Sequence, residues 1–234
     1  MRKQESIQDF DQFAQSYASA LDKHISLSGE ESDFFVKIKV RLMRDFMKGR
    51  TQHKISILDF GCGTGRAAPH VRHYFPHSAF FGLDPSKESI AVAKKNKQGG
   101  KFAVLTSHTV LKKNMFDVIF SAVVFHHIPP RDRLKALQGI RARLKKGGYF
   151  FLFEHNPYNP LVRVVVRACP FDKGVHLLKP TYAKGLLKRA GFDVCNSGYY
   201  FFFPKALFWL RPCERFLRYI PLGAQYFIVG VKND

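Results

Sequence analysis

The sequence of 234 residues lacks the features that define several protein classes. Its longest apolar stretches are interrupted by Pro204, Lys205, Arg211 and Pro212, so none approaches the roughly 20 residues that span a bilayer. The N-terminal stretch MRKQESIQDF has no apolar segment, which predicts that it is not a secretory signal. The four cysteines form no C-x-x-C pair, so we expect neither a metal site nor a disulfide framework. A reducing, cytoplasmic location is the expectation.

Acidic residues are scarce, with 18 Asp and Glu against 38 Lys and Arg, which gives a formal charge of +20. Residues 1–50 hold nine basic and eight acidic residues, whereas residues 51–234 hold 29 and 10. Such an excess suits a nucleic acid, another anionic partner or a solvated basic surface. The hydrophobic fraction of 46% excludes a disordered basic tail, because such a tail has too little apolar surface to bury.

Short apolar runs alternate with segments of helical periodicity through most of the chain. This alternation predicts an α/β fold, with a mostly parallel sheet covered by helices on both faces. We expect a single domain with three regions. These are a helical cap or lid over residues 1–50, a cofactor-binding core over residues 51–155 and a substrate-side region with the C-terminal strand pair over residues 156–234. The predicted strands are residues 55–60, 79–83, 101–105, 116–124, 149–153, 192–203 and 225–232, and the predicted helices are residues 34–47, 64–75, 86–96, 131–144 and 181–190.

A glycine loop, DFGCGTGR over residues 59–66, joins the first predicted strand to a helix. Alternate glycines let the backbone turn sharply and approach a ligand, and the helix start behind them offers free N–H groups. The pattern departs from the dinucleotide fingerprint G-x-G-x-x-G, and Asp59 before it suits a ligand ammonium better than a diphosphate. Asp84 follows Gly65 by 19 residues and ends the second strand, where an acid accepts hydrogen bonds from ribose hydroxyls.

These motifs resemble those of the class I S-adenosylmethionine-dependent methyltransferases. ILDFGCGTGR resembles their first motif and FFGLDPSKESI their second, while FDVIFSAVVFHHIP and LKKGGYFFLFEHN resemble the motifs of the fourth and fifth strands. FDQFAQSYASAL resembles the helix with which small-molecule members, including those of quinone pathways, close over the cofactor. The resemblance implies a Rossmann-like sheet of seven strands with an antiparallel C-terminal strand, and S-adenosylmethionine as cofactor.

The resemblance also implies which residues contact the cofactor. The glycines would line its methionine part, Asp59 would face its amino group, and Asp84 its ribose hydroxyls. Many members carry an acid after the third strand that contacts the adenine amino group, and here Ser107 is the expected substitute. The expected cofactor-binding residues are Tyr17, Asp59, Gly61, Gly63, Gly65, Asp84, Pro85, Ser107 and Ser121.

Histidines follow the fourth and fifth predicted strands, at the edge of the sheet where ligands bind. The protein must align a nucleophile with an activated methyl group, and a hydroxyl nucleophile must also lose its proton. Histidine suits proton transfer near neutral pH, so His127 and His155 are the predicted catalytic residues. His126 is less favoured, because adjacent side chains of an extended segment point in opposite directions. Glu154 is expected either to orient His155 or to pair with a surface cation.

Residues 199–219, YYFFFPKALFWLRPCERFLRY, are basic and aromatic, and three placements stay open for them. They could belong to the core between the last two strands, wall an apolar pocket or lie on an anionic membrane surface. We expect methyl transfer to the oxygen or carbon of a small molecule that is anionic or lipid-like, with peripheral membrane contact and without a nucleic-acid partner. The alternatives are an RNA methyltransferase that uses the basic surface and a non-catalytic cofactor-binding protein.

Overall fold

The computed structural model describes residues 28–96, 99–106, 112–169, 172 and 174–234. Tyr17 and Ser107 lie outside these ranges, as does most of the predicted cap, so their predicted roles stay predictions. Within these ranges the strands are β1 (Ser56–Phe60), β2 (Ala79–Asp84), β3 (Lys101–Val104), β4 (Phe116–Ala122), β5 (Leu144–His155), β6 (Asp193–Tyr200) and β7 (Gln225–Val231). The helices are α1 (Ser32–Phe46), α2 (Ala67–Tyr74), α3 (Lys87–Lys95), α4 (Pro130–Arg143), α5 (Pro160–Ala168), α6 (Pro180–Arg189), a 3₁₀ segment (Lys205–Cys213) and α7 (Glu214–Leu217).

The seven strands form one sheet in the order β3-β2-β1-β4-β5-β7-β6. Strand β7 runs antiparallel to both β5 and β6, while the other neighbouring pairs are parallel. The predicted α/β sheet with an antiparallel C-terminal strand is therefore confirmed. From β1 the chain adds β2 and β3 on one side of the sheet and then β4 and β5 on the other side. The connections that follow β1 and β4 therefore run in opposite directions and leave a crevice at the carboxyl edge of the sheet.

Local sequence explains where two of the helices begin. The Ser86 hydroxyl accepts a hydrogen bond from the Ser89 N–H at 3.0 Å and caps α3. The Asn159 side chain accepts from the Val162 N–H at 3.1 Å and caps α5. Helix α5 was not predicted, because its sequence PLVRVVVRA is rich in valines that favour strands, and the cap with a proline at its start outweighs that preference.

Apolar side chains fill both faces of the sheet and alternate along each strand. Phe120 of β4 and Phe151 of β5 face a layer built with α1, α2 and α3. Their neighbours Ile119 and Leu152 face the opposite layer, built with α4 and α6. Because the side-chain period of a strand is two, this alternation decides which residues at the strand ends reach the crevice.

The C-terminal aromatic segment differs from the prediction. Strand β6 ends at Tyr200, and the 3₁₀ segment and α7 bury none of their residues. A core placement for this part of residues 199–219 is therefore wrong. Among the described residues, no helix has the length and apolar character needed to cross a bilayer.

Candidate functional site

A cavity of about 1070 Å³ opens at the carboxyl edge of the sheet, beyond the ends of β1, β2, β4 and β5. Its lining includes the glycine loop and the residues that follow β2. It also includes residues of α1, of α5 and of the segment 201–204. The volume lies at the upper limit of the roughly 300–1,000 Å³ of ordinary ligand pockets.

The glycine loop approaches the cavity with its bare backbone. Gly61, Gly63 and Gly65 have φ angles of 85°, 51° and 79°, a region that favours glycine. A Cβ at Gly61 would lie 2.4 Å from the side chain of Val124, so no larger residue fits there. A Cβ at Gly63 would meet no atom of the described residues within 4 Å, which leaves open space for a ligand against the loop.

Asp84 connects the end of β2 to the glycine loop. One carboxylate oxygen accepts a hydrogen bond from the Gly63 N–H at 2.7 Å, and the other accepts from the Ser86 N–H at 2.9 Å. Asp84 and Pro85 both line the cavity next to the loop. The carboxylate therefore holds the loop in shape and faces the space where a ligand would lie.

Asp59 lies beside them at the end of β1 and is almost fully buried. Its Oδ1 atom has no hydrogen-bond partner among the described residues. Burial, and then the neighbouring Asp84 carboxylate, raise the pKa of Asp59 well above its usual value. A buried, uncompensated carboxylate is unfavourable, and a ligand ammonium in the cavity would compensate it. The residues present therefore fit S-adenosylmethionine, whose amino group Asp59 would hold and whose ribose Asp84 would hold.

Two of the predicted cofactor-binding residues, Gly65 and Ser121, do not line the cavity. A Cβ at Gly65 would lie 2.9 Å from the ring of Phe102. Glycine is therefore needed at this position so that the loop can pack against Phe102 of β3. Ser121 is fully buried between Phe120 and Ala122, both of which line the cavity. Its side chain therefore points to the opposite face of β4, away from the cofactor space.

Three histidines meet at the ends of β4 and β5. Residues 124–127 form a turn, and Val123 before it has a φ of 62°, which is strained for a β-branched residue. The ring centroids of His126 and His127 are 4.1 Å apart, and those of His126 and His155 are 5.5 Å apart. The expectation that the two adjacent histidines point apart is wrong, because it assumed an extended segment.

Glu154 is fully buried and organises this turn. Its Oε1 accepts hydrogen bonds from the N–H groups of residues 124 and 125 at 3.1 and 2.7 Å. Its Oε2 lies 2.7 Å from Nδ1 of His126, and Oδ1 of Asp172 lies 3.3 Å from Nε2 of the same ring. The closest partner of Glu154 is therefore His126 and not, as the sequence suggested, His155 or a surface cation.

These charges determine the protonation of the three rings. Burial alone would lower the pKa of His126, but the two carboxylates outweigh it and raise that pKa to about 9. Burial, and then the positive charge of His126, lower the pKa of His127 to about 3 and that of His155 to about 4. At neutral pH His126 is a cation held between carboxylates, while His127 and His155, which line the cavity, are neutral.

The same cluster is the one group among the described residues with the geometry to hold a metal ion. The ligand atoms of His126, His127 and Asp172 lie within 4.8 Å of one another. The sequence predicted no metal site. The ion pairs of His126 with Glu154 and Asp172 hold these side chains together.

Lys39 of α1 is a cavity residue that the sequence analysis missed. It is buried, and its ammonium donates a hydrogen bond to the Phe35 carbonyl at 3.1 Å. In the described part of the chain no carboxylate lies within 4.0 Å of it. Burial lowers the pKa of Lys39 to about 7, against an opposing effect of Glu154. Only its position on the apolar side of an amphipathic helix could have revealed it.

Comparisons with known proteins agree with this geometry. Residues 58–152 match the family described as "Methyltransferase domain". The demethylmenaquinone methyltransferase of Thermotoga maritima is 32% identical over 104 residues, which cover 44% of this chain and 44% of that protein. The ubiquinone biosynthesis O-methyltransferase of Pelagibacter ubique is 31% identical over 123 residues, which cover 49% of each chain. The matches thus span about half the length of these two relatives.

A solved structure from Thermotoga maritima, an S-adenosylmethionine-dependent methyltransferase and possible histamine N-methyltransferase, superposes with a TM-score of 0.68. It is 19% identical, and the superposition covers 97% of this chain and 99% of that one, so it establishes the fold. With this fold and a cavity that fits the cofactor, residues 58–152 form a methyltransferase domain of the class I S-adenosylmethionine-dependent type.

Proposed function

We propose that this protein transfers a methyl group from S-adenosylmethionine to the oxygen or carbon of a small, anionic or lipid-like acceptor. The observation that carries the proposal is one cavity whose lining combines a set of residues that fits the cofactor with a cation and two histidines. The glycine loop, Asp59 and Asp84 form the part of the lining that fits the cofactor. Lys39 and His155 reach the same cavity from α1 and from the end of β5. The names of the two relatives support an acceptor of quinol type, which combines a ring hydroxyl with an apolar tail.

The lining of the cavity favours a small molecule over RNA. Apolar side chains of α1, α5 and the segment after β6 form much of the wall, namely Phe35, Val36, Val162, Val165, Phe201 and Phe202. Apart from histidines, the described residues of the wall include as many basic as acidic side chains. The basic ones are Lys39, Arg66, Lys135 and Arg143, and the acidic ones are Asp59, Asp84, Asp132 and Asp172. An RNA-binding groove needs a cationic lining, so the charge of +20 resides outside this cavity.

Lys39 supports an acceptor that is already anionic or that becomes anionic when its hydroxyl loses a proton. The cofactor supplies a methyl group that its sulfonium already activates. The neutral rings of His127 and His155 accept hydrogen bonds from an acceptor hydroxyl and orient it, but their lowered pKa values make them weak bases. Lys39 has a pKa of about 7 and suits a general base near neutral pH. Its amine takes the acceptor proton at Nζ, and the resulting ammonium stabilises the adjacent oxyanion.

The experiment has two stages. Isothermal calorimetry measures S-adenosylmethionine binding to the protein and to Asp84→Ala, with the exposed Asp45→Ala on α1 as matched control. We expect Asp84→Ala to weaken binding about 100-fold, since hydrogen bonds to the ribose and the tie to Gly63 are lost together. Equal affinity of both variants and the parent would contradict the cofactor site.

The second stage measures methyl transfer by mass spectrometry. The probes are a prenylated naphthohydroquinone, its tail-free analogue and transfer RNA. We expect product with the hydroquinones and a higher kcat/KM for the prenylated one. Methylated RNA alone would establish the RNA alternative, and cofactor binding without any product would favour the non-catalytic one.

A further inference from the structure

Exposed apolar side chains are concentrated in two segments of the described chain. Of the eleven large apolar side chains that are exposed among the described residues, ten lie in residues 158–164 and 207–222, and Tyr182 is the exception. Trp209, Phe216 and Tyr219 are 59%, 71% and 78% exposed. We call the ten together the apolar surface, which consists of Tyr158, Leu161, Val164, Leu207, Phe208, Trp209, Phe216, Tyr219, Ile220 and Leu222. Solubility disfavours such a concentration, so it indicates an interaction site.

Hydrogen bonds join the two segments that carry the apolar surface. The Asn159 side chain, at the start of α5, donates to the Leu222 carbonyl at 2.7 Å. The buried Asn156 side chain donates to the carbonyls of Pro221 and Gly223 at 3.0 and 2.7 Å. The start of helix α5 and the segment after α7 are therefore held side by side.

The two segments that carry the apolar surface have an excess of positive charge. Residues 157–169 and 203–222 contain six Lys and Arg and a single acid, Glu214, and one of the six, Arg211, is paired with Glu30. The Glu214 carboxylate accepts hydrogen bonds from the N–H groups of residues 201–203 at 3.0–3.1 Å, so it is directed inward. Arg163, Arg167 and Arg215 are exposed beside the apolar residues. An apolar face with a cationic border complements an anionic lipid surface.

Helix α5 shows this arrangement most clearly. Leu161, Val164 and Ala168 are exposed and recur at i, i+3 and i+7, which places them on one stripe. Arg163 and Arg167 form the adjacent stripe, where they reach the headgroups when the apolar stripe enters the acyl region. Leu161 also lines the cavity, so the cavity opens where the apolar surface begins.

We propose that the apolar surface docks on an anionic lipid bilayer, which brings the cavity mouth to the membrane plane. An apolar acceptor would then enter the cavity without crossing water. A second copy of the chain is a poorer occupant, because two such surfaces would bring like charges together. Nucleic acid would use the arginines but would leave the aliphatic residues exposed.

Trp209 is the only tryptophan of the chain and reports directly on docking. The experiment titrates the full chain with phosphatidylcholine vesicles, with and without phosphatidylglycerol. We expect a blue shift of Trp209 emission with the anionic vesicles and quenching by brominated acyl chains. Binding should weaken with salt, because the border cations are screened. Co-sedimentation with the same vesicles measures the partition constant.

Two pairs of variants separate the apolar from the charged contribution. Phe216→Ser/Tyr219→Ser keeps Trp209 as the probe and should weaken partitioning at least ten-fold. Its matched control is Tyr182→Ser, on α6 at the opposite face of the sheet. Arg163→Gln/Arg167→Gln should weaken partitioning about five-fold per arginine on anionic vesicles only. Its control removes the same charge from α6, as Lys188→Gln/Arg189→Gln.

Several results would overturn the proposal. Trp209 emission that stays unchanged with every vesicle, or variants that partition like their controls, would exclude docking. A blue shift that follows protein concentration without vesicles would identify the surface as a contact between copies. Binding to RNA but not to vesicles at physiological salt would assign the cations to nucleic acid. The assay contains neither cofactor nor acceptor, so its failure would leave the proposed methyl transfer untouched.

Discussion

Replacing Glu154 by glutamine tests the buried charge network that holds the candidate active site together. Glutamine has the same shape, and its carbonyl oxygen can still accept from the N–H groups of residues 124 and 125. The change removes the negative charge beside His126 and puts an amide donor where Oε2 lies 2.7 Å from Nδ1. The variant isolates the ion pair from the backbone contacts.

The size of the effect follows from the pKa of His126. A rise from 6.5 to about 9 corresponds to about 3 kcal/mol of stability, to which Asp172 also contributes. Because the folded-state pKa is raised, this stability is fully present below about pH 6.5 and is lost as the pH rises through about 9. We expect Glu154→Gln to lower the free energy of unfolding by about 3 kcal/mol near pH 6 and by about 1 kcal/mol near pH 10.

Urea unfolding followed by circular dichroism at both pH values measures this difference. The matched control is Glu31→Gln, an exposed glutamate next to α1, which should change stability by less than about 0.5 kcal/mol at either pH. Nuclear magnetic resonance titration of the imidazoles should show the pKa of His126 falling in the variant. A destabilisation of equal size at both pH values would refute the charged pair.

Three further changes test other parts of the site. Lys39→Met should lower kcat at least about 100-fold and remove the rise of rate with pH through about 7, whereas the exposed Lys37→Met should not, as steady-state kinetics would show. Asp59→Asn should raise the free energy of unfolding of the cofactor-free protein by about 1–3 kcal/mol, and this gain should grow as the pH rises through the raised pKa of Asp59. The same variant should bind the cofactor more weakly in calorimetry. A variant that is less stable than the parent would contradict an uncompensated charge at Asp59. Gly65→Ala should cost about 3 kcal/mol in urea unfolding, because a positive φ and the Phe102 ring both oppose a side chain. Gly147→Ala, at a φ of 74° with open space around it, should cost about 1 kcal/mol, and an equal loss at both glycines would exclude the packing effect.

The sequence by itself determined the features that arise between near neighbours in the chain. The alternation of apolar runs predicted the sheet, and the resemblance implied its seven strands and the antiparallel strand near the C-terminus. The glycines of residues 59–66 marked the loop, because a positive φ and a close approach of backbone leave a direct signature in residue type. Ser86 marked the start of α3 for a similar reason, since a cap acts within three residues.

Local pattern misled where a turn replaced an extended segment. Glu154 was expected to orient His155 or to pair with a surface cation, but the turn at residues 124–127 brought His126 to Glu154 across 28 positions of sequence. Ser121 was assigned by resemblance to the cofactor space, whereas the alternation along β4 directs it to the other face. A one-residue shift of register changes the face, and sequence alone does not measure that shift.

The tertiary structure alone decided how the charges and the exposed aromatics are used. The ion pairs of His126 join residues that are 28 and 46 positions apart, so only the folded chain brings them into contact. Lys39 became a cavity residue because α1 packs over the sheet, and its burial follows from that packing. The aromatic composition of the 3₁₀ segment is typical of a buried segment. The two faces of the sheet are already covered by other residues, so the aromatic side chains of this segment remain outside the core. Burial depends on what else competes for the core, and no single segment carries that information.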